Sequence, residues 1–112
     1  MHPERPPLRP AVLHILLALA EGELHGLGIA DAVAAASEGV VSLGPGTLYR
    51  SLDEMRGMGL IEQVAAPSSD ADPRRKYYRI TAAGRGVLAA EVGRLGRLVE
   101  FARERDVLAE GA

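Results

Sequence analysis

Between Ala11 and Ala20 every residue except His14 is apolar. Val12, Leu13, Ile15, Leu16, Leu17 and Leu19 go almost all the way round a helix, which predicts a first helix from about Leu8–Pro10 to near Gly22, covered on every side. Pro10 suits a first turn. A domain this small rarely covers a helix completely by itself, so one side is expected to face a second subunit. "EGELHG" (21–26) reads as a turn. Ile29, Ala30, Val33 and Ala34 then share one face of a second helix, about Gly26–Ser37, closed by Gly39. Val40, Val41 and Leu43 form a short extended link.

"GPGTLYRSLDEMRGMGLIE" (44–62) opens a third helix. Pro45 fixes its entrance, and Leu48, Leu52 and Met55 recur at i, i+4 and i+7 as its buried stripe. Its opposite side carries Gly46, Arg50 and Asp53, flanked by Thr47 and Tyr49, and Gly57 and Gly59 end it. Leu60–Ala65 is a candidate strand, "PSSDADPRR" (67–75) is turn chemistry, and "KYYRI" (76–80) is the returning strand. Alternation puts Tyr78 and Ile80 on one face of that strand, with Tyr77 and Arg79 on the other. Tyr78 is expected in the core. Thr81 is a good N-cap for a last helix running from Ala82 towards Leu108. In it Leu88, Val92, Leu95, Val99 and Ala102 are spaced 4, 3, 4, 3, a coiled-coil-like seam. Gly93 and Gly96 cost helix stability there but allow close approach by another helix.

The composition narrows the function. The chain has 112 residues and 47% hydrophobic content, enough for one domain with a modest core. A net charge of -2 and a pI near 5.9 require any basic footprint to be local. With no Cys, disulfides and thiolate metal sites are excluded. Arg5 and Arg9 before the first apolar run, and "ALA" at its end, mimic a secretory signal. The run is better read as a buried helix, is too short to span a bilayer, and leaves a cytoplasmic protein without membrane attachment as the expectation. Residues 1–7 read as a loose arm. His14 and His25 have no Cys or carboxylate at ligand spacing, so no metal is expected. "GLGIAD" lacks the third glycine and the preceding strand of a dinucleotide loop. No cofactor and no enzymatic activity are expected.

Three helices, two strands with a flexible tip and a last helix is the order of a winged helix-turn-helix: mainly α, with a small β-hairpin, followed by a C-terminal dimerisation helix. The domains are then 1–81 for DNA binding and 82–112 for dimerisation. In that fold the third helix lies in the major groove with its N-terminal residues at base edges. Backbone N–H groups at its glycine-rich entrance attract phosphate. Arg50 is suited to guanine or phosphate, and Thr47 and Tyr49 to phosphate. Arg74, Arg75 and Lys76 form a cationic wing beside Tyr77. From Asp70 to Arg79 there are four cations and two anions, a local +2, with Asp70 and Asp72 weakening the tip. The expected DNA-contacting set is Gly46, Thr47, Tyr49, Arg50, Arg74, Arg75, Lys76 and Tyr77, although Tyr77 also suits simple hairpin packing. The expected dimer contacts are Val12, Leu16, Leu88, Val92, Leu95, Val99 and Ala102.

"ILLALAEGELHGLGIADAV", "LGPGTLYRSLDEMRGMGLIE" and "RRKYYRITAAGRGVL", in that order and spanning roughly 11–90, resemble the PadR family of bacterial transcriptional regulators. The resemblance implies a homodimer that represses transcription until a signal relieves it. A two-fold dimer implies an inverted-repeat operator on double-stranded DNA, with half-sites about one helical turn apart or a multiple of it. Leu27 stands where the family usually has Tyr. One C-terminal helix is similar to the short branch of the family. Trp is absent, so the tryptophan sandwich by which some short members bind flat drugs does not carry over, and inducer-binding residues are not assigned. The competing class is a winged-helix module used only for protein contacts. Such a module would show apolar residues on the third helix and wing, where this chain shows Gly46, Thr47, Tyr49, Arg50 and Arg74–Lys76.

Overall fold

The computed structural model describes residues 7–108. Apart from Pro7, the loose arm expected over 1–7 lies outside the described residues. The first apolar run becomes α1 (Pro10–Leu19), entered from an extended Arg9 with Pro10 in the first turn. Pro there costs nothing, because a first-turn N–H has no helical partner. Around α1 pack α2 (Gly26–Ala36), α3 (Pro45–Gly57), α4 (Ala82–Glu104) and one strand of the sheet. The protomer therefore covers most of α1 by itself. Val12 and Leu16, expected to face a second copy, are both 0% exposed and belong to the protomer core. The outward apolar residue of α1 is Leu17.

The α2 and α3 stripes fall as their spacing requires. Ile29 and Val33 are buried on α2, and Leu48, Leu52 and Met55 on α3. The chain leaves α2 through Ser37, whose hydroxyl donates to the Val33 carbonyl and accepts from the Val41 N–H, both at 2.9 Å. The sheet has three antiparallel strands in the order β1-β3-β2, with β1 Leu24–His25, β2 Ile61–Ala65 and β3 Lys76–Ile80. The strand β1 lies in the stretch read as a plain turn. It pairs Leu24 with Tyr78 and His25 with Tyr77, and so makes β3 the central strand. Tyr78 and Ile80 are buried and Arg79 is exposed, as alternation requires. Between β2 and β3 the register runs from Ile61 opposite Ile80 to Ala65 opposite Lys76.

One junction ties these elements together. Met58 caps α3, and Gly59 turns the chain at φ 75, a left-handed conformation that glycine adopts without a Cβ clash. Leu60 then enters the core. Its carbonyl accepts from the Thr81 N–H at 3.0 Å. The Thr81 hydroxyl donates to the Gly59 carbonyl at 2.6 Å and accepts from the Gly84 N–H at 3.0 Å, capping α4. A Cβ at Gly84 would overlap the Leu60 carbonyl oxygen and sit 2.9 Å from Ile80 Cγ1.

The helix α4 has 23 residues, a rod of about 35 Å. Its first turns bury Gly84, Val87, Leu88 and Glu91 against the protomer. Glu91 is only 1% exposed. It accepts from the Leu8 N–H at 2.9 Å and from Arg94 at 2.7 and 3.1 Å, which pins the chain before α1 onto α4. These bonds, the one from Arg94 foremost, hold the Glu91 carboxyl below its ordinary value of 4.5 despite its burial. The helix ends at Glu104, short of the expected Leu108, and Asp106 follows in a left-handed conformation at φ 57.

Two outcomes are expected. Gly84→Ala should destabilise the fold by about 1–3 kcal/mol through overpacking, whereas Gly86→Ala, with nothing within 4 Å of its Cβ, should gain up to about 1 kcal/mol; thermal unfolding of the two variants would show midpoints moving in opposite directions. Glu91 has a lowered folded pKa, so its contribution is present above the ordinary value and is lost as pH falls through the folded one. Glu91→Gln should therefore make the loss of stability below about pH 5 shallower than in wild type, read by denaturant titrations across the acid range.

Candidate nucleic-acid interface

Helical geometry divides the exposed side of α3 into three strips. Gly46, Arg50 and Asp53 lie opposite the buried stripe, all exposed. Tyr49 leans to one side, over the start of α2 and towards the wing. Thr47 and Glu54 lean to the other, towards the start of α1. Two clefts follow these flanks. One, of about 420 Å³, is lined by Gly26, Tyr49, Arg74, Arg75, Lys76 and their neighbours. The other, of about 370 Å³, is lined by Arg9, Thr47, Arg50 and Glu54 with their neighbours. The expected set thus falls on two adjoining flanks: Tyr49 meets the wing cations, while Thr47 and Arg50 sit with Arg9.

The absence of a side chain at Gly26 lets Tyr49 lie where it does, since a Cβ there would overlap the phenol oxygen. Tyr49 remains 49% exposed. Among the described residues Arg50 has neither an ion pair nor a side-chain hydrogen bond, and the same holds for Lys76. Arg9, by contrast, pairs with Glu54 at 3.0 Å. Arg9 was absent from the expected set. Its place directly before the first helix was visible in the sequence, but its neighbourhood to Arg50 arises only when α1 packs on α3.

The wing is more ordered than a Pro/Ser/Asp-rich tip suggests. Asp70 accepts from the Asp72 N–H at 2.8 Å and from the Tyr77 hydroxyl at 2.6 Å. Asp72 accepts from the Arg74 N–H at 3.0 Å and pairs with the Arg74 side chain at 3.4 Å. Arg75 lies 3.3 Å from His25 Nε2, and the His25 and Tyr77 rings are 5.3 Å apart. The Tyr77 bond is the main reason the Asp70 carboxyl sits below its ordinary range, and the same bond raises the Tyr77 phenol. Tyr77, expected to contact DNA, has its hydroxyl committed inside the wing. Arg79 is taken up by Glu62, with a second carboxylate from Glu23 at 3.4 Å. It therefore adds little to the local positive field expected of this region. His25, which packs on Tyr77 and lies against Arg75, belongs to the wing base.

The sequence model of the transcriptional regulator PadR-like family matches residues 15–90, about two thirds of the chain. The chain belongs to the PadR-like family. It is thus one of a family of transcriptional regulators, not of enzymes, and its helices and small sheet are the winged helix of that family. No curated protein matches it. Among solved structures, a PadR family transcription regulator from Clostridium difficile R20291 is similar at 22% identity and a TM-score of 0.72, over 86% of this chain and 97% of that one. A transcriptional regulator from Clostridium thermocellum gives 21% identity and 0.68, over 84% and 87%. Bacillus subtilis PadR, solved in complex with operator DNA, gives 23% and 0.62, over 72% of this chain and 45% of that one. In the PadR-like fold α3 is the third helix of the winged domain, and β2 and β3 are the two strands of its wing. No helix among the described residues is long and apolar enough to cross a membrane.

Proposed function

We propose that this PadR-like protein is a cytoplasmic, dimeric, sequence-specific DNA-binding repressor whose hold on its operator is released by a signal. The observation that carries the reading is Arg50. It is an exposed cation without a partner among the described residues, on the outer strip of α3 beside Gly46 and Thr47. Across the Tyr49 cleft stand Arg74, Arg75 and Lys76. An acidic chain that leaves cations unpaired on one surface is suited to a polyanion there. The capture of Bacillus subtilis PadR on operator DNA supports the same reading. In this assignment Arg50 reads a base edge, Thr47, Tyr49 and the backbone at Gly46 touch phosphate, and Arg74, Arg75 and Lys76 hold the backbone beside the groove. Residues 1–81 carry DNA recognition.

The dimer reading rests on α4 (82–112 as the dimerisation segment). Val92, Leu98, Val99 and Phe101 are exposed on it, with Leu95 and Ala102 half-buried. Leu88 begins the same seam but is buried in the protomer. An apolar strip of this kind on a projecting helix is suited to a second copy. Leu95→Glu with Val99→Glu would set like charges against each other across the two-fold axis. That double variant should sediment as a monomer or unfold, and an unchanged dimer would remove the assignment.

Selection on random duplex DNA tests the main reading. It should return an inverted repeat with half-site centres about one helical turn apart, or a multiple of that. Arg50→Ala should then lower affinity for the selected site by about 1–3 kcal/mol and relax preference at one base pair per half-site. Arg75→Ala should weaken selected and random DNA nearly alike, and the slope of log affinity against log salt should become shallower by about one for each phosphate left without its cation. Equal weakening of both DNAs by Arg50→Ala would make it a phosphate anchor. No effect from either variant would favour a surface for protein contacts instead.

A further inference from the structure

The residues between β2 and β3 run from 66 to 75 and have no sheet partners. Their order comes from two carboxylates. Tyr77, fixed in β3 opposite both His25 and Val64, donates to Asp70. Asp70 in turn accepts from the Asp72 N–H, and Asp72 accepts from the N–H groups of Arg74, through its side chain, and of Arg75, through its carbonyl at 3.2 Å. A continuous relay thus leads from the central strand to the wing cations. Asp70 is its link to the sheet, the one carboxylate among the described residues that bonds both the strand and the tip.

We propose that Asp70 is a positioning residue for DNA binding: its negative charge sits in the DNA-facing wing because its two hydrogen bonds hold Arg74 and Arg75 in binding order beside Lys76, which β3 itself fixes. This rests on the DNA-binding reading above. Two effects oppose each other at this residue. Removing an anion beside a polyanion site strengthens attraction to phosphate. Removing the anchor frees a ten-residue tip, whose ordering must then be supplied on binding. The tip is tied down by few other bonds, and Asp70 holds both of its own, so the second effect dominates.

Asp70→Asn and Asp70→Ala remove the same charge. Asn keeps an acceptor for the Asp72 N–H, whereas Ala keeps none. Tyr77→Phe removes the strand bond and changes no charge. The probes are a duplex selected from random DNA by the wild-type protein and an unselected random duplex, each titrated at several salt concentrations. Asp70→Ala is expected to bind both about tenfold more weakly than wild type, with a shallower salt dependence because fewer phosphates are engaged. Asp70→Asn should fall between the two, and Tyr77→Phe should weaken binding in the same sense. Hydrogen exchange at the Asp72 and Arg74 amides should quicken in Asp70→Ala without DNA present. If wild type binds and the two Asp70 variants bind equally and more tightly, charge alone governs the wing and the proposal falls while the DNA reading stands. Unchanged amide exchange would sink it as well. If wild type binds neither duplex, both readings fall. Should Asp70→Ala fail to fold, Tyr77→Phe decides on the same measurements.

Discussion

The approach of α4 to the Leu60 carbonyl is the constraint on which the rest of the architecture hangs. Leu60 follows α3 and leads into β2, while Thr81 and Gly84 follow β3 and open α4. Four elements therefore meet within one backbone contact, where a hydrogen is the only side chain that fits. The Thr81 hydroxyl bridges the same point by donating on one side and accepting on the other. Burying that much backbone is tolerable because each of these polar groups has a partner. The angle between α3 and the wing is fixed here, and with it the spacing of the cations the two present.

Much of this was legible in the sequence. The stripe Leu48, Leu52, Met55 fixed α3 and its outer side, the alternation in "KYYRI" fixed which tyrosine is core, and Thr81 marked the start of α4. Each depends on spacing along one element, which a linear pattern records. The strand β1 was not legible: two residues cannot show an alternation, and their pairing with β3 is set by tertiary packing. The surroundings of α1 were misjudged for a related reason. An all-round apolar helix reveals that it is covered, but not by what, and here the cover is largely its own protomer. The pairing of Arg9 with Glu54 and of Asp70 with Tyr77 joins segments whose meeting no local pattern encodes. Recognition of the family came from its motifs, and the assignment of Arg50 and the wing from element order and exposure.

The charge distribution shows a further economy of placement. Arg9, Arg74 and Arg79 each meet a carboxylate, and exposed pairs of this kind add little stability. Their effect is to shape the field. Beside these compensated cations stand Arg50, Arg75 and Lys76, which have no ion pair among the described residues. A chain of net -2 can thus leave unpaired cations on one surface without a basic composition.

The helix α4 is anchored at one end only. Its first turns are fixed to the winged domain through Gly84, Leu88 and Glu91, while its last turns stand clear in a molecule 51 Å long and 24 Å across its narrowest direction. Mechanically it is a lever arm with a rigid fulcrum. A clamp on the distal end that tilts the rod by about 10° would swing a winged domain some 35 Å away by about 6 Å, nearly two base-pair steps. Small changes at the far end of α4 are thereby magnified into displacements of the winged domain.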